Sequence, residues 1–126
     1  MGIHFPIRKE WAKTSIDSAS SIVFSNPENI LEELSVEKAS PQYDFESQKT
    51  LLTGIVSKKS VISDSSTQTT GNEKLFLIYS KDTTTMLFNN YLLYNSGQQM
   101  FLFSYQFVTD FRGYFKLLQD HVGLLP

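Results

Sequence analysis

The sequence predicts an α+β protein, in which an antiparallel β-sheet is covered by one mid-chain helix and one C-terminal helix. Segments with alternating apolar residues, typical of strands, stand in groups along the chain. Two stretches with apolar residues at helical spacing follow those groups, which gives the order ββ(β)αβββα. The length of 126 residues suits one domain, 1–126, with a core that needs no disulfide.

The N-terminal third predicts two or three short strands. Ile3–Ile7 and Ser20–Phe24 both alternate apolar and polar residues, and the turn-prone segment Ala12–Ser18 between them favours a hairpin. Asn26-Pro27 ends the second strand. The following apolar residues fit a short helix and then a strand, or a single strand, and we favour a strand over Leu34–Ala39.

The mid-chain helix begins at Asp44, whose side chain is a suitable N-cap. Gly54 weakens the interior of this helix, and Lys58-Lys59 stands at its C-terminal end, where cations are favourable. One apolar face predicts the side that packs on the sheet: Phe45, Leu51, Leu52, Ile55 and Val56.

The C-terminal half predicts an exposed strand, an antiparallel meander and a helix. Val61–Thr70 is rich in Ser and Thr, as expected of an exposed strand. Lys74–Ser80, Thr84–Tyr94 and Gln99–Thr109 follow with short turns between them, so they form the meander. The last helix runs from Asp110 to about Val122, and Gly123 stops it.

The composition excludes several classes of site. The chain has no cysteine, which removes thiolate chemistry, disulfides and cysteine-based metal sites. Its net charge of −2 argues against nucleic-acid binding, which needs clustered cations. No apolar run near the N-terminus is long enough for a signal peptide or a membrane span, so we expect a cytoplasmic protein.

Catalytic motifs are scarce. The two histidines, His4 and His121, lack a ligand-spaced partner, and structural or surface roles are favoured for both. The glycines are scattered rather than arranged in a phosphate-binding loop, and no Gly-x-Ser-x-Gly elbow is present. We therefore predict a protein that is not an enzyme and uses no metal or cofactor.

Five features together resemble the PsbP-like superfamily. They are Phe5-Pro6 with Trp11 after the first strand, a second strand that ends Phe24-Ser25-Asn26-Pro27, a mid-chain helix, a three-strand meander, and a final helix that ends Gly123-Leu124-Leu125-Pro126. The superfamily includes the photosystem protein it is named for, the Ran-binding Mog proteins, the DcrB lipoproteins and the Eag chaperones of bacterial type VI secretion. The resemblance implies an α+β sandwich that works by holding another protein.

An apolar sheet face is the first candidate binding site. Phe101, Phe103, Tyr105 and Phe107 alternate along the last strand and are expected to lie in the core beneath a helix. The opposite, mixed row suits a groove for a hydrophobic segment of a partner, unless the second helix covers it. The predicted sheet-face site is Met86, Phe88, Asn90, Leu92, Met100, Leu102, Ser104 and Gln106.

An acidic stretch is the alternative site. Between Glu28 and Glu46 the chain has six acids and one base, Lys38. Such a run is usually a solvated face, but it also suits a patch that meets a basic partner. The residues of this acidic alternative are Glu28, Glu32, Glu33 and Glu37.

These sites lead to two hypotheses with different partners. The first is a chaperone or adaptor that holds a hydrophobic segment of one dedicated, secreted effector on the sheet face. The second is an immunity protein that blocks a toxin domain through the acidic stretch, and a binder of a small ligand ranks last. An exposed strand edge would also allow a homodimer, although alternation alone does not reveal which strand is the edge.

Overall fold

The computed structural model describes residues 1–14, 20–40 and 42–124. Its elements confirm the α+β class, with one mid-chain and one C-terminal helix among antiparallel strands. In chain order they are β1 (Ile3–His4), β2 (Ala12–Lys13), β3 (Ser21–Asn26), β4 (Asn29–Lys38), α1 (Phe45–Ser57), β5 (Ser60–Thr70), β6 (Glu73–Asp82), β7 (Phe88–Asn95), β8 (Met100–Phe107), α2 (Gly113–His121) and β9 (Gly123–Leu124).

Within the described residues, seven strands form one antiparallel sheet in the order β2-β3-β4-β8-β7-β6-β5. The predicted meander is confirmed, because β6, β7 and β8 pair in sequence. The exposed strand β5 joins this sheet through β6. The chain crosses from β7 to β8 through a short turn, and β8 then pairs with β4, which places the two halves of the sequence side by side.

The predicted N-terminal hairpin is wrong. Ile3 pairs with Leu124, so the first strand lies against the C-terminal end of the chain instead of against β3. The strand beside β3 is the short β2, which falls in the segment expected to be a turn. The remainder of that predicted turn, residues 15–18, lies outside the described residues.

One face of the sheet, called here the aromatic face, carries the larger core. Tyr114, Phe115 and Leu118 of α2 pack on it, which confirms that the aromatic row of β8 lies beneath a helix. The N-terminal segment closes the same face, and the hydroxyl of Tyr114 donates to the carbonyl of Pro6 at 2.7 Å. Strand residues of this face are Ile22, Phe24, Leu34, Val36, Leu77, Tyr79, Leu92, Tyr94, Phe101, Phe103 and Tyr105.

The opposite face, called here the α1 face, carries a smaller core. Phe45, Leu52 and Val56 of α1 pack on Phe76, Ile78 and Leu93 of the sheet. The predicted N-cap is confirmed, because the Asp44 carboxylate accepts from the amide of Ser47 at 2.8 Å. The helix contacts β5 and β6, so it lies over one half of this face.

Helix α2 is shorter than predicted, because it begins at Gly113 instead of Asp110. The Asp110 carboxylate accepts two hydrogen bonds from the Arg112 side chain, both at 3.1 Å, and does not cap the helix. The helix ends at His121, and Gly123 follows as part of β9.

The loop between β6 and β7 holds Met86 at a φ of 63°. This left-handed region is unfavourable for a residue with a Cβ atom. The Asp82 carboxylate fixes the loop by accepting from the amides of Thr84 and Thr85 at 2.8 and 2.9 Å. The predicted strand Thr84–Tyr94 therefore begins four residues late, at Phe88.

We predict that Met86→Gly stabilises the protein by about 0.5–1 kcal/mol, because glycine adopts a positive φ without a steric cost. The side chain is 56% exposed, so little packing is lost with it. Urea denaturation measures the change in the free energy of unfolding. Met86→Ala is the matched control, since it removes the side chain beyond the Cβ atom and keeps the Cβ atom itself. Equal effects of the two substitutions would contradict the explanation.

Candidate functional site

The residues predicted for the sheet-face site divide between the two faces. Phe88 pairs with Phe107 and Leu92 with Phe103, and directly paired residues share a face. Phe88, Asn90 and Leu92 therefore belong to the aromatic face and not to one surface with Leu102, and Leu92 lies in the core that α2 covers. The predicted grouping is wrong because it assumes a register between β7 and β8 that differs by one residue from the observed pairing.

The other predicted members remain on the α1 face, apart from Met86, which lies in the loop before β7. Strand β8 presents Met100, Leu102, Ser104 and Gln106 there, and all four are partly exposed. Their true neighbours on β7 are Asn95, Leu93, Tyr91 and Asn89.

A cleft of about 350 Å³ runs between α1 and the β4–β8 half of this face. Its floor is Leu93 and Leu102, and Leu51 and Ile55 form its wall on α1. The wall residues are 45% and 59% exposed, although each is large and apolar. They stand four residues apart on the helix, so they form one row beside the floor. We define this cleft as the α1 cleft.

A second cavity of about 420 Å³ extends the α1 cleft toward the turn between β7 and β8. The two share a rim of Lys38, Ala39, Ser40 and Tyr43. Met100 lines the second cavity, so the predicted residues Met100 and Leu102 both border one continuous depression. Beyond Leu102 the strand continues with Ser104, which pairs with Ser35 of β4. Because both side chains are short, they extend only a little way above the sheet in the β4–β8 half of the face.

Two of the predicted acidic residues border the same face. Glu33 pairs with Gln106 and Glu37 with Leu102, which places both carboxylates on the α1 face, and both residues are exposed. Glu37 also lines the α1 cleft. Glu28 lies apart from them, in the exposed turn between β3 and β4.

Glu32 does not belong to an acidic surface, because it is buried on the aromatic face with 1% exposure. The expectation that it lies on a solvated face or a docking patch is therefore wrong. Its Oε2 accepts from the indole of Trp11 at 3.1 Å, the hydroxyl of Tyr105 at 2.5 Å and the guanidinium of Arg8 at 3.2 Å. Its Oε1 accepts from Asn26 at 3.0 Å. Four donors thus satisfy one buried carboxylate.

The surroundings of Glu32 determine its charge. Burial alone would raise its pKa, but hydrogen bonds from Tyr105, Asn26 and Trp11, together with the charge of Arg8, lower the pKa overall. Burial also raises the pKa of Tyr105, and the hydrogen bond to the Glu32 carboxylate adds to that rise. The pair therefore holds an ionised carboxylate and a neutral phenol at neutral pH.

The sequence contains a signal for the burial of Glu32 that the residue type alone does not give. Glu32 alternates in phase with Leu34 and Val36, which predicts that all three share the core face. The prediction that Leu51 and Ile55 pack on the sheet is wrong, because the predicted face of five apolar residues is wider than the contact with the sheet requires.

Within residues 1–14, 20–40 and 42–124, no three His, Asp or Glu side chains are grouped as metal ligands. The same part of the chain has no helix that is long and apolar enough to span a membrane. Comparison of the chain with models of known protein families, and with curated protein sequences, gives no match.

We predict that Glu32→Ala lowers the free energy of unfolding by about 3–5 kcal/mol, because it leaves the buried donors of Trp11 and Tyr105 without their acceptor and removes a well-packed buried side chain. Glu33→Ala is the matched control, since this neighbouring acid points to the opposite, exposed face. Its effect is expected to stay within about 0.5 kcal/mol. Urea denaturation at pH 7 compares the two variants, and equal losses would contradict the assigned role.

The lowered pKa of Glu32 also predicts an acid-sensitive fold. The unfolded chain binds this proton near the ordinary value of 4.5, whereas the folded protein binds it only at lower pH. The stabilisation is complete above that value and is lost as the pH falls through the folded pKa. Stability measured from pH 7 to pH 3 is expected to fall more steeply for the native chain than for Glu32→Gln. Parallel curves would contradict this assignment.

Proposed function

We propose that this protein is a non-enzymatic binding module that holds one hydrophobic, helical segment of a dedicated protein partner in the α1 cleft. The observation that carries the proposal is the pair of large apolar side chains, Leu51 and Ile55, left exposed beside an apolar floor. Exposed apolar side chains that line a concavity are typical of sites for a partner.

A helix is the occupant that best fits the α1 cleft. Helix α1 has 13 residues, so the wall it offers is about 20 Å long. An amphipathic helix of similar length would place apolar residues at positions i, i+3, i+4 and i+7 between this wall and the floor. The serines at positions 35 and 104 would allow its backbone to come close to the sheet.

The charges around the cleft indicate the polar side of that segment. Glu37 lines the cleft on the side away from α1, with Lys38 beside it on the rim, and Glu33 lies further along the same strand β4. The two glutamates are four residues apart, about 13 Å along a strand. Basic residues on the flank of the bound helix would complement them, which favours a segment that is apolar on one side and basic on the next.

The partner class rests on resemblance as well as on the cleft. The Eag chaperones, among the proteins the sequence resembles, work in secretion by holding another protein, so a secreted effector is the partner we propose. The immunity-protein alternative is less well supported, because the burial of Glu32 reduces the acidic surface it would use.

We predict that the double variant Leu51→Asp/Ile55→Asp loses its partner. The tagged protein is used to capture proteins from its source cells, and a photo-cross-linker at position 48 identifies the partner segment in contact with the cleft. The native protein is expected to capture one main partner, cross-linked through a hydrophobic segment, and the double variant at least tenfold less.

Val61→Asp/Leu117→Asp is the matched control, because both residues are also large, apolar and exposed but lie outside the cleft. This control is expected to capture the partner normally, and thermal denaturation confirms that both variants are folded. The proposal would be contradicted if the control lost the partner as completely as the cleft variant does, or if the cleft variant still captured the partner. A partner cross-linked through a basic toxin domain would favour the immunity-protein alternative.

A further inference from the structure

The edge strand β5 is the second unusual surface of this protein. Among the described residues it pairs with β6 alone and ends the sheet. It has eleven residues, far more than the two of β2 at the opposite edge. Its backbone groups on the outer side make no hydrogen bond with any described element. Such an edge is a ready template for another strand.

The usual protections of an edge are weak along most of β5. Residues 60–70 include no proline and no lysine, and Asp64 is their only charged residue. The register shifts between Ile62 and Asp64, which disturbs one end of the strand. From Asp64 to Thr70 the pairing with β6 is regular, and all seven residues are exposed.

We propose that β5 pairs antiparallel with β5 of a second copy of this chain, so that two sheets become one. The regular segment 64–70 has Thr67 at its centre, which is the natural position for a two-fold axis. Asp64 would then face Thr70 of the second copy, and Ser65 would face Thr69. Apart from Asp64, the opposed side chains are Ser, Thr and Gln, and cross-strand pairs of Ser and Thr are favourable.

The charge pattern of β5 suits pairing with a second copy. In this arrangement the two Asp64 carboxylates stand at opposite ends of the paired segment, about 20 Å apart, so no like charges oppose each other. Arg112 already pairs with Asp64 at 3.4 Å and donates to Ser63 at 3.1 Å, which holds that end of the strand in place.

The dimer would leave the proposed α1 cleft open. Strand β5 is separated from β8 by β6 and β7, so its edge lies about 14 Å across the sheet from the floor residue Leu102. Each dimer would therefore present two clefts. The inference does not rest on the proposed function, and it is tested without any partner.

A cysteine scan tests the pairing, because the chain has no cysteine of its own. Ser65, Ser66, Thr67, Gln68 and Thr69 are changed to cysteine one at a time, and disulfide-linked dimer is measured under mild oxidation. Directly opposed residues in an antiparallel pair lie close enough for a disulfide. We expect the fastest cross-linking at Thr67→Cys, with a symmetrical decrease on both sides. Thr53→Cys, exposed on α1, is the control and should react at least tenfold more slowly.

Sedimentation velocity gives an independent readout. The native protein is expected to have twice the 14.4 kDa mass of one chain at micromolar concentration. Thr67→Lys would place two cations opposite each other at the axis and should shift the protein to the monomer. Thr53→Lys should leave the dimer intact. A native protein that stays monomeric up to about 100 µM, which would mean a Kd near the millimolar range, would overturn the proposal, and so would cross-linking no faster on β5 than at position 53.

Discussion

The hydrogen bonding of the buried Glu32 carboxylate is the interaction on which the packing of this protein depends. It joins β4 to the N-terminal segment through Arg8 and Trp11 and to β8 through Tyr105. A charge this deeply buried is tolerated only because hydrogen bonds surround it, so the segment that supplies those donors is held over the aromatic face. The indole of Trp11 then packs within 4.8 Å of the Tyr114 ring, measured between centroids, which continues the same contact into α2.

This arrangement gives the two faces of the sheet different surroundings. The aromatic face is closed by α2 and the N-terminal segment, and its largest side chains have almost no exposure. In the described part of the chain, the α1 face has one helix of 13 residues against a sheet of seven strands. The helix therefore lies over β5 and β6, packs on Leu93 of β7, and leaves the β4–β8 side open. The α1 cleft is a consequence of that mismatch, and the proposed partner would supply the missing second helix.

The fold class, the N-cap at Asp44, the meander and the aromatic row of β8 were predictable, because each depends on local spacing within one segment. The grouping of site residues failed at Leu92, because the register between β7 and β8 depends on the turn. The loop of residues 96–99 has an even number of residues, so even positions of β7 pair with odd positions of β8. The long-range partners of Glu32 were not predictable, since Tyr105 is 73 residues away in the chain.

A partner held by this protein is expected to cover the open half of the α1 face. Amide hydrogen exchange, measured with and without the captured partner, locates the covered surface because it reports on every element at once. Exchange should become slower in α1 and β8 when the partner binds and should stay unchanged in β3 and α2. Protection confined to α2 and the N-terminal segment, or to the acidic turn around Glu28, would show that the partner binds elsewhere.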